Sequence, residues 1–282
     1  METFSEAYSV MQQMIVNNSK KVHTSRWQGV DISKNPAAAT RELLNVDLSV
    51  DLNGNEDLDH WRNDCRPNLP WADDHFEERV GGHPLNPGKE WQNWPYAHSA
   101  DKFRNDGRVF NHTYMERFWP KWARKTPEGV LGISGLIRAV PHRDDSIDAR
   151  PRYGIAHHYG DLQDLVELLA KEPDTRQAWI PLFFPEDTGK GDGGRKPCTL
   201  GYQVIVRDNK AHMYYPLRSC DLRRHWRDDA YLAVRLLLWI IERCRNLSVE
   251  WARIVPGTLS MHMTSLHVFE NDYLELQRGG TW

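Results

Sequence analysis

The chain has 282 residues, 40% of them hydrophobic and 27% charged, with a formal net charge of -3 at neutral pH. That length holds one large domain or two modest ones around a sizeable core. The balance is that of an ordinary soluble globular protein, and the near-neutral charge gives no reason to expect a surface that coats nucleic acid.

Four cysteines (Cys65, Cys198, Cys220, Cys244) are too few and too scattered for a disulfide scaffold, and none forms a CxxC pair. The segment METFSEAYSVMQQMIVNNSKK lacks the basic stretch, apolar stretch and small cleavage-site residues of a secretory leader. The longest apolar run, near Leu236–Ile241, is far too short to span a bilayer. A reducing cytoplasm is the expected home, and it leaves Cys198 available as a free thiol.

In chain order, residues 5–20 place Tyr8, Met11 and Ile15 on one side of a helix and Gln12, Asn17 and Lys20 on the other. Leu43–Leu52 alternates apolar and polar residues, which predicts a half-buried strand. Residues 53–150 are rich in Trp, Pro, Asn, Gly and charge, with WADDHFEERV and NHTYMERFWPKWA as their helices. They read as an elaborated region of a single domain covering 1–282. Asp161–Lys171 is an amphipathic helix that starts on an Asp cap and stops before Pro173. Ala178–Phe184 and Tyr202–Val206 read as strands, Arg207–Asn209 as a turn and Ala211–Leu217 as the returning strand. Asp229–Arg245 is a long helix, and Thr258–His262 and Leu266–Phe269 are short strands. The class is α+β.

Chemistry concentrates after Pro197. A proline and a cysteine precede the hairpin, and an Arg-Ser-x-Asp cluster (Arg218, Ser219, Asp221) ends it. A hairpin folds back, so Arg218 comes near Cys198. A guanidinium beside a thiol favours the thiolate, which is the nucleophile. The alternative is a small buried hydrophobe.

These residues resemble the thymidylate synthase superfamily, whose phage deoxycytidylate hydroxymethylases are the nearest in pattern. The family's proline-cysteine, hairpin, Arg-Ser-x-Asp, Asn or Asp eight residues later and His-x-Tyr correspond to Pro197-Cys198, Arg218 to Asp221, Asp229, and His267 to Phe269. Tyr153-Gly154 resembles its Tyr-Gly, and Pro173–Gln177 its P-D-S-R-R. The match covers roughly residues 151–273. It implies a thymidylate synthase-like fold, a large mixed β-sheet flanked by helices, with one sheet face forming the interface of a homodimer.

The resemblance also implies roles. Cys198 adds to ring carbon 6 of a pyrimidine deoxynucleoside monophosphate, and carbon 5 then takes a one-carbon unit from 5,10-methylenetetrahydrofolate, a co-substrate. Arg218 and Ser219 bind the phosphate, with Arg176 contributed across the dimer; Gln177 stands where a second arginine is expected. Asp221, Trp91 and Trp94 contact the folate. Tyr153 assists proton removal at carbon 5, and His267 lies near the sugar and ring. Phe269 replaces a tyrosine that contacts the sugar 3′-hydroxyl, which puts deoxyribose selectivity in question. Glu78 or Glu77, with Glu78 preferred, is the general acid/base; a solvated helix face is the other reading of both. Arg26 and Arg41 are candidates for a further phosphate-binding arginine.

Asp229 bears on the base. Uracil's carbonyl and ring N–H suit an asparagine amide, whereas an aspartate accepts from cytosine's amino group and shares a proton with its ring nitrogen. In this family asparagine here accompanies uracil and aspartate cytosine. Helix capping by Asp228 or Asp229 is the compatible structural alternative. The basic run Arg223–Arg227 has three readings: contact with the folate's glutamate tail, a cover over the pocket, or an exposed face. His157, His158, His262 and His267 lack acidic or cysteine partners at ligand spacing, so no metal is expected.

The implied activity is deoxycytidylate 5-hydroxymethylation, in a phage-infected host's cytoplasm if the source is a phage. Methyl transfer to dCMP or dUMP is the alternative, and an inactive fold relative with a binding role the second. No nucleic-acid or membrane partner is expected.

Overall fold

The computed structural model describes residues 1–27, 30–96, 104–105, 109–120, 160–188 and 195–278. Its main elements are α1 (Phe4–Asn18), β1 (Lys20–Val22), β2 (Arg26–Trp27), β3 (Val30–Asp31), β4 (Thr40–Asp51), α2 (Leu58–Cys65) and α3 (Trp71–Val80). There follow β5 (Arg104–Asn105), β6 (Val109–Phe110), α4 (Tyr114–Phe118), α5 (Leu162–Lys171), β7 (Trp179–Pro181), β8 (Gly201–Arg207) and β9 (Lys210–Leu217). The chain ends through β10 (Cys220–Asp221), α6 (Trp226–Leu247), β11 (Val255–Phe269) and α7 (Glu270–Gln277). Two compact units result: Met1–Pro67 with Leu169–Phe183 and Cys198–Trp282, and Asn68–Leu168 with Phe184–Pro197.

The first unit is built on a mixed seven-stranded sheet ordered β1-β4-β11-β9-β8-β7, with β10 also pairing with β11. Val46, Leu48 and Val50 of β4 and Leu259, Met261 and Met263 of β11 alternate inward and are buried, as one core-facing side of a pleated sheet requires. The helix α1 presents Phe4, Ala7, Tyr8, Met11 and Ile15 at helical spacing, all buried. The β8–β9 hairpin turns at Asp208 and Asn209, with φ of 52° and 59°, the left-handed pair that suits the twist of the flanking strands.

Three expectations change here. Thr258–His262 and Leu266–Phe269 are parts of one strand, β11, paired with β4 almost throughout. The apolar alternation changes phase at Thr264–Ser265, so that Met263 and Leu266 are both buried; read by period alone, this looks like a break. The long helix begins at Trp226, not Asp229, because Asp228 and Asp229 occupy its first turn, where acids complement the helix N-terminus. The stretch expected as a strand over 178–184 pairs only through Trp179–Pro181.

In the second unit α3 covers WADDHFEERV as expected. The helix in NHTYMERFWPKWA shortens to Tyr114–Phe118, opened by a capping box between Thr113 and Glu116. Buried Asn86 ties the unit together: its amide donates to the Phe110 carbonyl and the Glu116 carboxylate, both at 2.9 Å, and accepts the Phe110 N–H at 2.8 Å. Arg117 grips Asp187 through both carboxylate oxygens, at 2.7 and 2.8 Å. At the start of α5, Asp161 and Asp164 accept each other's backbone N–H at 3.0 Å, which is the expected acidic cap.

Candidate active site

In the first unit, β9 and β10 run along the same edge of β11 in one continuous register. Leu217 pairs with Met263 and Cys220 with Leu266, and the two residues between, Arg218 and Ser219, are left out of the ladder. The Arg218 N–H donates instead to the Cys198 carbonyl at 2.9 Å, and Thr199 bridges Leu217. Cys198 and Arg218 therefore face each other across an antiparallel pair, as folding back of the hairpin predicts. Cys198 is half-buried and disulfide-free. Arg218 is exposed and Ser219 half-buried.

Cys220, the undefined position of Arg-Ser-x-Asp, is buried among charges. Burial pushes its thiol well above the usual range, and Asp229, Asp221 and Cys198 push further the same way. The thiol thus keeps its proton and donates it to Asp229 Oδ2 at 3.9 Å. Asp229, Asp221 and Cys198 are each close enough to act electrostatically on Cys220. Asp229 sits in the first turn of α6, whose N-cap is His225, so neither Asp228 nor Asp229 is the capping residue.

Asp221 lies opposite His267 in the β10–β11 pairing, and Leu222 N–H donates to the His267 carbonyl at 2.9 Å. Asp221 Oδ1 accepts the backbone N–H groups of Arg223 and Arg224, both at 3.0 Å. Its Oδ2 has an ion contact with Arg224 at 3.8 Å. A carboxylate has about four acceptor sites, so Asp221 retains capacity for a donor-rich ring. His267 and Phe269 rings lie edge-on at 6.2 Å. Arg224 covers the Phe269 ring at 4.2 Å and is held by Asp272 at 2.9 and 3.1 Å. Within the basic run, Arg224 is thus engaged by Phe269 and Asp272, and Arg223 lies 3.7 Å from Glu275.

Arg176 and Gln177 are exposed before β7. Arg41 is committed elsewhere: it holds Glu270 through two bonds of 3.1 Å and stacks on Tyr273 at 4.4 Å. Arg26 is exposed on β2.

In the second unit, Glu78 is not a solvated helix face. Its Oε1 accepts the backbone N–H groups of Lys89 and Glu90 at 2.8 and 3.3 Å, and its Oε2 is buried without a hydrogen bond. A Cβ on Gly88 would lie 1.5 Å from that Oε2, so a side chain there would displace the Glu78 carboxylate. Burial, then the neighbouring Glu90, raises the Glu78 carboxyl above its ordinary range. Glu90 itself is buried with Oε1 2.7 Å from His75 Nδ1, and burial pushes it up to about 7. Trp94 lies 6.1 Å from Trp71 and beneath Arg195 at 5.9 Å, while Trp91 meets Phe110 edge-on at 6.0 Å.

Sequence reasoning did not single out Cys220, Glu90 or His75. A motif's free position, a carboxylate beside a tryptophan and a histidine inside a charged helix carry no periodic signal; burial alone marks them. Tyr153, His157 and His158 lie outside the described residues. Among the described residues no cluster of His, Cys, Asp and Glu is arranged to hold a metal, and no helix is long and apolar enough to cross a membrane.

No family model matches the chain. It is 27% identical over 131 residues to a thymidylate synthase of Francisella philomiragia, covering 43% of this chain and 40% of that one. It is 25% identical over 181 residues to the deoxyuridylate hydroxymethyltransferase of Bacillus phage SP01, covering 63% and 38%. The chain thus spans about two fifths of the length of these curated relatives. In structure it matches thermostable thymidylate synthase A of Bacillus subtilis with a TM-score of 0.61 at 16% identity, over 98% of this chain and 83% of that one. The chain has the thymidylate synthase fold, and its sequence relatives include a thymidylate synthase and a phage hydroxymethyltransferase.

Proposed function

We propose that the protein is a folate-dependent deoxycytidylate 5-hydroxymethyltransferase. The observation that carries this reading is the gathering of Cys198, Arg218, Asp221 and Asp229 around the gap between β9 and β10. In it the Cys198 thiolate bonds to ring carbon 6 of dCMP and places electron density at carbon 5, splitting one hard substitution into two feasible steps. Arg218 and Ser219 hold the phosphate, joined by Arg176 of a second copy in a homodimer. The exposed Leu44, Trp179 and Tyr214 of the sheet support such pairing.

Asp229 selects cytosine by accepting from its amino group, oriented by the Cys220 thiol. Asp221 binds the pterin and Trp91 and Trp94 the folate's flat rings, the folate supplying the one-carbon unit. His267 and Phe269 border the sugar. Tyr153 assists proton loss at carbon 5, and Glu78 is the acid/base group. The phage relative's hydroxymethyltransferase name favours water as the nucleophile that adds to the methylene carbon. The Francisella relative's name favours the second reading, methyl transfer.

The test is incubation with 5,10-methylenetetrahydrofolate and dCMP or dUMP, followed by mass analysis. A hydroxymethyl product from dCMP is expected. A methyl product with dihydrofolate selects the second reading, and preference for dUMP ends the cytosine assignment. A 5-fluoropyrimidine nucleotide with folate should trap an adduct on Cys198; no adduct with either base would favour a fold relative without catalysis.

A further inference from the structure

We propose that one face of α3 is a mount for the short turn that carries Trp91 and Trp94, with His75 and Asp74 as positioning residues for the Trp94 ring. The inference deepens the reading of Trp91 and Trp94 as the folate platform and rests on it. On that reading, α3 holds the acid/base group and the folate's support on one rigid element.

Trp71, Asp74, His75 and Glu78 stand at i, i+3, i+4 and i+7 of α3, which places them along one face of the helix. The segment from Lys89 to Trp94 runs past that face in the opposite direction, attached at each step. Glu78 Oε1 accepts the backbone N–H groups of Lys89 and Glu90 at 2.8 and 3.3 Å. One helical turn earlier, His75 Nδ1 lies 2.7 Å from Glu90 Oε1. Beside it, Asp74 Oδ2 accepts from the Asn93 amide at 3.2 Å. At the far end the Trp71 and Trp94 rings lie 6.1 Å apart, tilted by 34°.

The turn needs this support. It is a single 3-10 turn, Glu90–Asn93, whose N-cap Lys89 makes no side-chain capping bond. Its own backbone bonds are long, 3.4 Å from Gln92 to Lys89 and 3.2 Å from Trp94 to Trp91, in a geometry that is weak even when ideal. Side chains of α3 therefore decide where the tryptophans stand.

His75 is the central attachment. It is 8% exposed and Glu90 5%, so their contact forms away from water, where a lost partner costs most. Its ring also stacks on Trp71 at 4.8 Å and 18°. A change at His75 thus reaches the start of the turn through Glu90 and its end through Trp71. Asp74 and Asn93 are both exposed, and their bond is the weaker attachment.

The experiment uses full-length protein labelled with 5-fluorotryptophan and read by 19F NMR, the Trp94 line being assigned by its loss in Trp94→Phe. His75→Phe keeps a ring against Trp71 but has no polar atom for Glu90, and it should shift the Trp94 line. His75→Asn, which returns a polar group for Glu90, should recover part of the shift. On the proposed reaction, His75→Phe should raise KM for 5,10-methylenetetrahydrofolate about tenfold with the nucleotide KM unchanged, as misplaced support for one substrate predicts. A Trp94 line unmoved in His75→Phe overturns the proposal, and so does an equal rise in both KM values. Asp74→Ala, an exposed change that leaves the buried contacts in place, should shift the same line less; where His75→Phe folds poorly, an unmoved line in Asp74→Ala overturns the proposal instead. If the line moves as expected while no folate binds or reacts, the proposed function fails and the mount stands.

Discussion

The Cys220 thiol and the Asp229 carboxylate meet at 3.9 Å, a protonated sulfur holding the oxygen of an acid from the next element along the chain. Replacing Cys220 by Ala removes that donor from the Asp229 carboxylate. The expected outcome is a rise of about tenfold in KM for the nucleotide, the value of one charge-assisted hydrogen bond. Cys220→Ser, which keeps a donor, should restore most of it; steady-state kinetics on the three proteins decides.

Asp229→Asn exchanges an acceptor-only carboxylate for an amide with one acceptor and two donors. The expected result is a reversal of base preference, with dCMP losing and dUMP gaining about 10- to 100-fold in kcat/KM. Competition between the two nucleotides in one reaction mixture measures it directly.

Gly88→Ala sets a methyl carbon 1.5 Å from Glu78 Oε2 and 2.9 Å from Met115 Cε. Overpacking of this kind costs about 1–3 kcal/mol. Glu78→Ala should relieve it, so the double variant ought to be less destabilised than the two single losses added together. Urea denaturation of all four proteins gives the coupling.

Glu90 makes stability depend on pH. Its folded carboxyl titrates at about 7 against an ordinary value of 4.5. Between those values the folded state binds more proton than the unfolded chain, so unfolding free energy falls as pH rises. The stabilising contribution is full below pH 4.5 and gone above about 7, a span of about 3 kcal/mol. Glu90→Gln, without a titrating group, should show a shallower decline; denaturation at several pH values between 5 and 8 compares them. His75 acts in the opposite sense, since its depressed folded value costs stability as pH falls below 6.5, and His75→Gln separates the two.

Arg117→Met strands Asp187 in the second unit with its bidentate partner removed. Both side chains are at most 9% exposed, so a loss of about 3–5 kcal/mol is expected. Thermal unfolding of Arg117→Met beside Arg117→Met/Asp187→Leu should show the double variant recovering much of it.

The first unit was largely legible in the sequence because its elements bury one face and leave a period. Leu43–Leu52 and Tyr202–Leu217 alternate cleanly, and the Arg-Ser-x-Asp motif falls where the hairpin closes. β11 was divided in two because a polar pair, Thr264 and Ser265, interrupts the alternation while the hydrogen-bonded ladder continues. The second unit was poorly legible because side-chain hydrogen bonds, not periodic burial, hold it. Asn86, Glu116 and Arg117 are all buried polar groups, and a polar residue within a core looks in sequence like a loop. Glu78 shows the same: its carboxyl is bound by backbone N–H groups, and its neighbour Glu90 has no motif to announce it.

The interruption at Arg218 and Ser219 has a mechanical consequence. The backbone releases β11 after Leu217 and rejoins it at Cys220 without losing step, so both ends of the gap are clamped. The backbone of neither residue can be withdrawn without unzipping sheet on one flank or the other. On the proposed reading, a phosphate arriving there meets a backbone whose ordering cost was met during folding, and its affinity is correspondingly insensitive to the softness of the surrounding loops.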